Sequence, residues 1–263
     1  MIPEPLVGQY VPGESPVHRL DPRTKIALLA GYTVVLFLVR EWAAYGLLAA
    51  VVLAGTLAAG LPLAYLVAGL RPMAWLAALT LVLNLVAVPG DPLAHLGPLA
   101  ATRQGLELGL RLAVRLLLLV AAASLLTLTT SPIALTDGLE ALLRRLGRRV
   151  PAHELAMMMT IALRFIPTLA EEADRIMKAQ LARGARFHRG GPVQRLRALV
   201  PLLVPLFVSA FRRADDLALA MEARGYRGGA GRTRYRQLRP GRADAMAVAL
   251  AAVLFGITLW WGR

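Results

Sequence analysis

The chain has 263 residues, 57% of them hydrophobic and 17% charged, and 30 Lys and Arg against 16 Asp and Glu leave a net charge of +14. A soluble nucleic-acid binder could share that excess but would not carry long uncharged stretches, so the composition points to a membrane protein. With no cysteine there is no disulfide framework, thiolate nucleophile, Cys-ligated zinc or iron–sulfur cluster.

The start, Met1-Ile2-Pro3-Glu4-Pro5, has an acid and prolines where a cleavable signal has basic residues, so none is expected. Uncharged stretches cover residues 26–39, 42–70, 73–90, 116–136 and 245–262. A spanning helix needs roughly 20 apolar residues, which predicts about five spans. The first stretch is short, but Asp21 can cap a helix that begins with Pro22, and Arg23 and Lys25 are expected to reach back to the head groups. Asn84, the only asparagine, falls within a span and is expected to hydrogen-bond to another helix. Arg111 and Arg115, one turn apart at the entry to the fourth span, are expected to snorkel to the outer head groups; pairing with Glu107 is the alternative.

Of the 30 basic residues, 21 lie between Ser131 and Arg242, which predicts that this segment is cytoplasmic. Four spans before it and one after put the amino terminus in the cytoplasm and the carboxy terminus outside. Within the segment, Leu155, Met158, Met159, Ala162, Ile166, Leu169, Ala173, Ile176 and Met177 recur at helical spacing, which predicts an amphipathic helix over 153–180. A second helix is expected over about 192–222. Its uncharged part, 198–211, is short and interrupted by Pro201 and Pro205, so it is placed at the interface or against the bundle. Met157-Met158-Met159 either fills a core or offers an adaptable surface to a partner.

The two helices are related. At an offset of 41, residues 171–186 align with 212–227, with identities at Ala173/Ala214, Asp174/Asp215, Ala179/Ala220, Ala182/Ala223, Arg183/Arg224, Gly184/Gly225 and Arg186/Arg227. Each copy ends in Ala-Arg-Gly, where Gly can adopt the left-handed conformation that stops a helix. Small residues on either side let another surface approach closely, and Arg is left as the one long probe, able to pair with a carboxylate through two parallel bonds. An arginine that only complements a helix dipole would explain one copy but not a repeated triplet.

These features, together with Leu20-Asp21-Pro22-Arg23-Thr24-Lys25, Glu154-Leu155-Ala156-Met157-Met158, Leu163-Arg164-Phe165-Ile166-Pro167 and Ala223-Arg224-Gly225-Tyr226, resemble the T component of energy-coupling factor transporters over nearly the whole chain. Residues 175–186 and 200–234 look most like the shared type, which serves several substrate-binding subunits. The resemblance implies an all-α integral membrane protein of about five transmembrane helices, with long amphipathic cytoplasmic coupling helices inserted before the last span. It divides the chain into 1–131, 132–242 and 243–263, in the cell membrane of a bacterium or archaeon. It also implies a scaffold without catalytic residues or a cofactor of its own. Ala182, Arg183, Gly184, Ala223, Arg224 and Gly225 would dock two homologous ATP-binding cassette ATPases that carry ATP and Mg. Met157, Met158, Met159, Ile166 and Pro167 would form a surface for helix packing or for the S component that holds a vitamin or metal ion.

The residues agree with an absence of chemistry. Neither lysine completes a phosphate-cradling G-x-x-x-x-G-K-[ST] loop, and His153-Glu154 lacks the second histidine of a zinc-protease motif because Met157 occupies that position. The glycines of 227–231 precede an arginine-rich run and are expected to form a juxtamembrane linker. The rival reading is a membrane enzyme that transfers phosphoryl groups to lipid, with Asp215 and Asp216 holding Mg.

Overall fold

The computed structural model describes residues 10–96, 99–144, 151–185, 191–228 and 241–261. They fall into two compact units, residues 1–142 with 236–263, and residues 143–235.

The first unit is a helical bundle. A single turn, α1 (Pro16–Arg19), is capped by Ser15, and α2 (Pro22–Leu38) starts as its sequence dictates: Asp21 accepts from Arg23 N at 2.9 Å and Pro22 occupies the first turn. α3 (Trp42–Ala58), α4 (Leu63–Ala87), α5 (Arg103–Thr129) and, after the second unit, α9 (Arg242–Trp261) complete the five apolar elements. By length and composition α4, α5 and α9 are long enough to cross a membrane, while α3 is a shorter apolar helix. Leu36, Val39 and Leu48 at the α2–α3 corner have no exposed surface and lie in one core cluster with Tyr32, Tyr45 and Val52.

A short antiparallel hairpin, β1 (Pro92–Leu96) with β2 (Leu99–Thr102), joins α4 to α5. Nothing in the hydropathy pattern announces it. It lets the two helices lie side by side, and two glycines one turn apart on α5 set the distance. A Cβ on Gly105 would run into the backbone carbonyl of Asn84, and one on Gly109 would lie 3.0 Å from that of Leu81. Small residues at such a spacing let helix backbones approach closely in a membrane.

The structure moves the fourth span toward the amino terminus. The uncharged stretch predicted 116–136, but α5 ends at Thr129, Thr130 is extended, and a separate helix α6 (Pro132–Leu143) begins with Ser131 accepting from Ala134 N. Proline cannot donate the next helical hydrogen bond and disfavours helical geometry in the residue before it, so Ser131-Pro132 ends one helix and begins another. Residues 132–142 pack with the first unit: a Cβ on Gly138 would lie 2.9 Å from Pro22.

The second unit consists of two long helices, α7 (Ala152–Ala182) and α8 (Pro192–Ala223). Pro167, Pro201 and Pro205 all lie inside them without ending them. Pro205 leaves the carbonyl of Pro201 without an intrahelical donor. Gln180 Nε2 of α7 donates to that oxygen at 3.4 Å, so the defect in one helix becomes a link to the other. Of the glycine-rich run, 229–231 lies outside the described residues, as do Arg186 and the arginines from Arg232 to Arg239.

Candidate functional site

The two Ala-Arg-Gly triplets end α7 and α8 in the same conformation. Arg183 has φ −81° and ψ 4°, and Arg224 has φ −84° and ψ 6°. Gly184 and Gly225 follow with φ of +87° and +70°, the left-handed region that costs glycine nothing. Gly184 N donates to Leu181 O and Ala185 N to Gln180 O, both at 2.9 Å; Gly225 N donates to Glu222 O at 2.8 Å and Tyr226 N to Met221 O at 2.9 Å. This is the paired closure of a Schellman cap, made twice. It satisfies the last carbonyls through backbone bonds alone, so neither arginine is needed to cap its helix. Both arginines are exposed, and among the described residues neither has a hydrogen-bond or ion-pair partner. A Cβ on either glycine would meet nothing within 4 Å. Each tip is therefore a rigid backbone corner, open on its glycine side, with one free guanidinium.

Between the tips and the helix starts, α7 and α8 run antiparallel and are tied by polar contacts. Arg213 donates to Glu172 at 2.8 Å, with 38% and 24% of the two side chains exposed. Ser209 also donates to Glu172, and this bond, with the positive charges of Arg213 and Arg175, holds the Glu172 carboxyl below the usual glutamate range. A cavity of about 280 Å³ beside the pair is lined by Thr168, Glu171, Glu172, Arg175, Ile176 and Arg213. Neither Glu172 nor Arg213 stands out in the sequence by itself, but the ion pair spans 41 residues, which is the repeat offset.

The apolar faces of both helices are bare. Met158 is 55% exposed, Met159 42% and Ile166 59%, and Pro167 is exposed too, while Met157 is half-buried. On α8, Val204, Phe207 and Phe211 are 56%, 59% and 68% exposed. Among the described residues of this unit Ala156 and Leu202 are the buried apolar side chains, and Met158 and Met159 are not core filler of the helix pair.

In the first unit several polar residues lie elsewhere than expected. Lys25 does not reach for head groups. It is buried and donates to His18 O, Thr129 O and Thr130 Oγ1 at 3.3, 2.9 and 3.1 Å. The orphan carbonyls at the ends of α1 and α5 attract the ammonium, since buried helix ends must find donors. Asp244 ties α9 to the same knot: Oδ1 accepts from Asp21 N at 2.8 Å and Oδ2 from Gly241 N at 2.7 Å. Beside it lies a polar cavity of about 540 Å³ onto which Asp137 also opens.

Arg115 likewise turns inward, donating to Val39 O and to the Tyr45 hydroxyl and lying over the Phe37 ring, so it clasps the α2–α3 corner instead of snorkelling. Arg111 takes the alternative, pairing with Glu107 and lying over Trp42. Asn84 donates to Thr80 O of its own helix at 2.8 Å. Its backbone carbonyl is pressed against Gly105 of α5. Asp215 and Asp216 are exposed on α8, and among the described residues no group of three or more His, Asp or Glu could hold a metal ion.

The cobalt transport protein (CbiQ) family model matches residues 13–235. The chain is 56% identical over 251 residues to a protein of Thermosediminibacter oceani, covering 94% of each. It is 51% identical over 265 residues to one of Acidaminococcus fermentans, covering 100% of this chain and 99% of the relative, and 47% identical over 262 residues to one of Listeria innocua, covering 99% of each. All three are named energy-coupling factor transporter transmembrane protein EcfT. With its apolar spanning helices and its repeated pair of amphipathic helices, the chain belongs to this family of transmembrane components of energy-coupling factor transporters, which are membrane scaffolds of a transporter and not enzymes.

Proposed function

We propose that the chain couples two partner ATP-binding cassette ATPases to the uptake of a vitamin or other micronutrient, held by a separate S component, across the cell membrane of a bacterium or archaeon. The observation that carries this reading is the duplicated tip: two exposed arginines on backbone corners whose dihedral angles agree within a few degrees. Two equal probes suit two homologous sockets. The bare apolar faces of α7 and α8 suit a hydrophobic membrane subunit, and the flexible thioethers of Met158 and Met159 suit several alternative ones. That agrees with the shared type of T component. The 21 basic residues between Ser131 and Arg242 support a cytoplasmic position for both tips, facing the ATPases, with the amino terminus inside and the carboxy terminus outside.

The test is substitution at the tips in the assembled transporter. An arginine withdrawn from a partly buried carboxylate costs about 2–5 kcal/mol at that contact. Arg183→Ala or Arg224→Ala singly weakens assembly and uptake, and Lys at either position restores only part because an ammonium lacks the bidentate fork. The double variant Arg183→Ala with Arg224→Ala releases both ATPases, measured by pull-down of the tagged chain and by uptake in cells. Retention of both ATPases with normal uptake overturns the reading.

A further inference from the structure

The repeat and the contact map share one coincidence. Glu172 and Arg213 are equivalent positions in the two copies, 41 residues apart, and they touch. In an arrangement related by a two-fold axis, a residue meets its own equivalent only where the axis passes. The antiparallel crossing of α7 and α8 meets that condition at this ion pair. Identical charges there would repel, and the repeat departs from identity at these positions: Glu171 stands opposite Arg212 in the alignment, Glu172 opposite Arg213 and Arg175 opposite Asp216, each with the sign reversed. Hydroxyl character persists where charge does not matter, at Thr168 and Ser209, and Ser209 supplies the second hydrogen bond to Glu172.

The pair also stands at the same distance from both tips. Arg183 lies eleven residues beyond Glu172, and Arg224 eleven beyond Arg213. At 1.5 Å per residue each arm is about 16 Å long. Resting on the proposed docking of the tips, we propose that Glu172 and Arg213 are positioning residues: their ion pair is the pivot of a two-armed lever, and it stays closed while the tips move with the ATPases. An unpinned crossing would let one helix slide along the other, so that tip displacement is lost before it reaches the rest of the transporter.

The experiment uses the complete transporter in proteoliposomes and compares uptake with ATP hydrolysis in the same sample. Glu172→Gln and Arg213→Gln keep both ATPases bound and hydrolysing, while uptake per ATP falls several-fold. The reversal Glu172→Arg with Arg213→Glu restores at least half of the lost ratio, which a general packing role would not do. Because the chain has no cysteine, Glu172→Cys with Arg213→Cys can be bridged by bis-maleimidoethane. Uptake per ATP is low before bridging and rises after it. An unchanged ratio in the single variants, a reversal that recovers nothing, or a bridge that stops uptake each overturns the pivot. If the unmodified chain fails to bring down the ATPases, the docking reading itself fails, and the two failures are therefore distinct.

Discussion

In the first unit the corner between α2 and α3 is sealed: Leu36, Val39 and Leu48 have no exposed surface, Arg115 bonds to the backbone there, and Lys25 gathers three oxygens from two helix ends. In the second unit α7 and α8 touch along a polar crossing and leave methionines, valines and phenylalanines uncovered. The second unit carries most of the chain's basic residues, and the two units also differ in where their polar residues act. The bundle spends them inside, satisfying helix ends, and its apolar periphery suits lipid. The helix pair spends them on holding itself in register and leaves its apolar faces free. The first arrangement is complete by itself. The second leaves apolar faces open, which agrees with the proposed role of this helix pair in meeting other subunits.

Three variants sharpen this contrast. The largest effect is expected at the α4–α5 contact, where Gly105→Leu must displace the backbone of Asn84. Overpacking of this kind costs about 1–3 kcal/mol or more, and loss of folded protein in detergent, read by size-exclusion chromatography and thermal unfolding, is the expected outcome. A Gly105→Leu variant as stable as the parent would show that the bundle is not closely packed there. Next is Lys25→Met, which keeps the apolar stem and removes the donor from His18 O, Thr129 O and Thr130 Oγ1. Buried acceptors left unsatisfied cost about 1–3 kcal/mol, so the melting temperature of the isolated chain falls. The smallest effect on the isolated chain is expected from Ile166→Ser with Phe207→Ser, both exposed, at no more than about 0.5 kcal/mol for each. The same pair is expected to weaken recovery of S components with the complex while leaving the ATPases bound. If it destabilised the isolated chain as much as Lys25→Met does, the two units would not differ in the way described.

Much of this molecule is legible in its residues because the signals are local. Asp21-Pro22 announces a helix start, the 3.6-residue periodicity announces α7, and the pair of Ala-Arg-Gly triplets announces two glycine-stopped helix ends. Each depends on neighbours within a few residues, and each is found in place. The uncharged run continues past the end of α5 to residue 136 for a related reason: hydropathy cannot see a break between two helices that are both apolar. Ser131-Pro132, a cap followed by proline, was the local signal that hydropathy outweighed.

The fates of individual polar residues depended on distant partners. A lysine near a membrane surface can snorkel or be buried, and only the meeting of the α1 and α5 ends beside Lys25 decides between them. Arg115 turns inward because the α2–α3 corner offers Val39 O and Tyr45 within reach. Asn84 bonds to Thr80 O of its own helix, while its backbone carbonyl lies against Gly105 of α5. The Glu172–Arg213 pair stands between these cases, since the repeat offset is written in the sequence and the antiparallel crossing is not. The sequence by itself thus determined membrane character, helix starts and stops, and the duplicated tip, because these follow from composition and short-range chemistry. Tertiary structure alone decided which buried donors meet which acceptors, because that pairing is set by helix ends and backbone approaches tens to hundreds of residues apart.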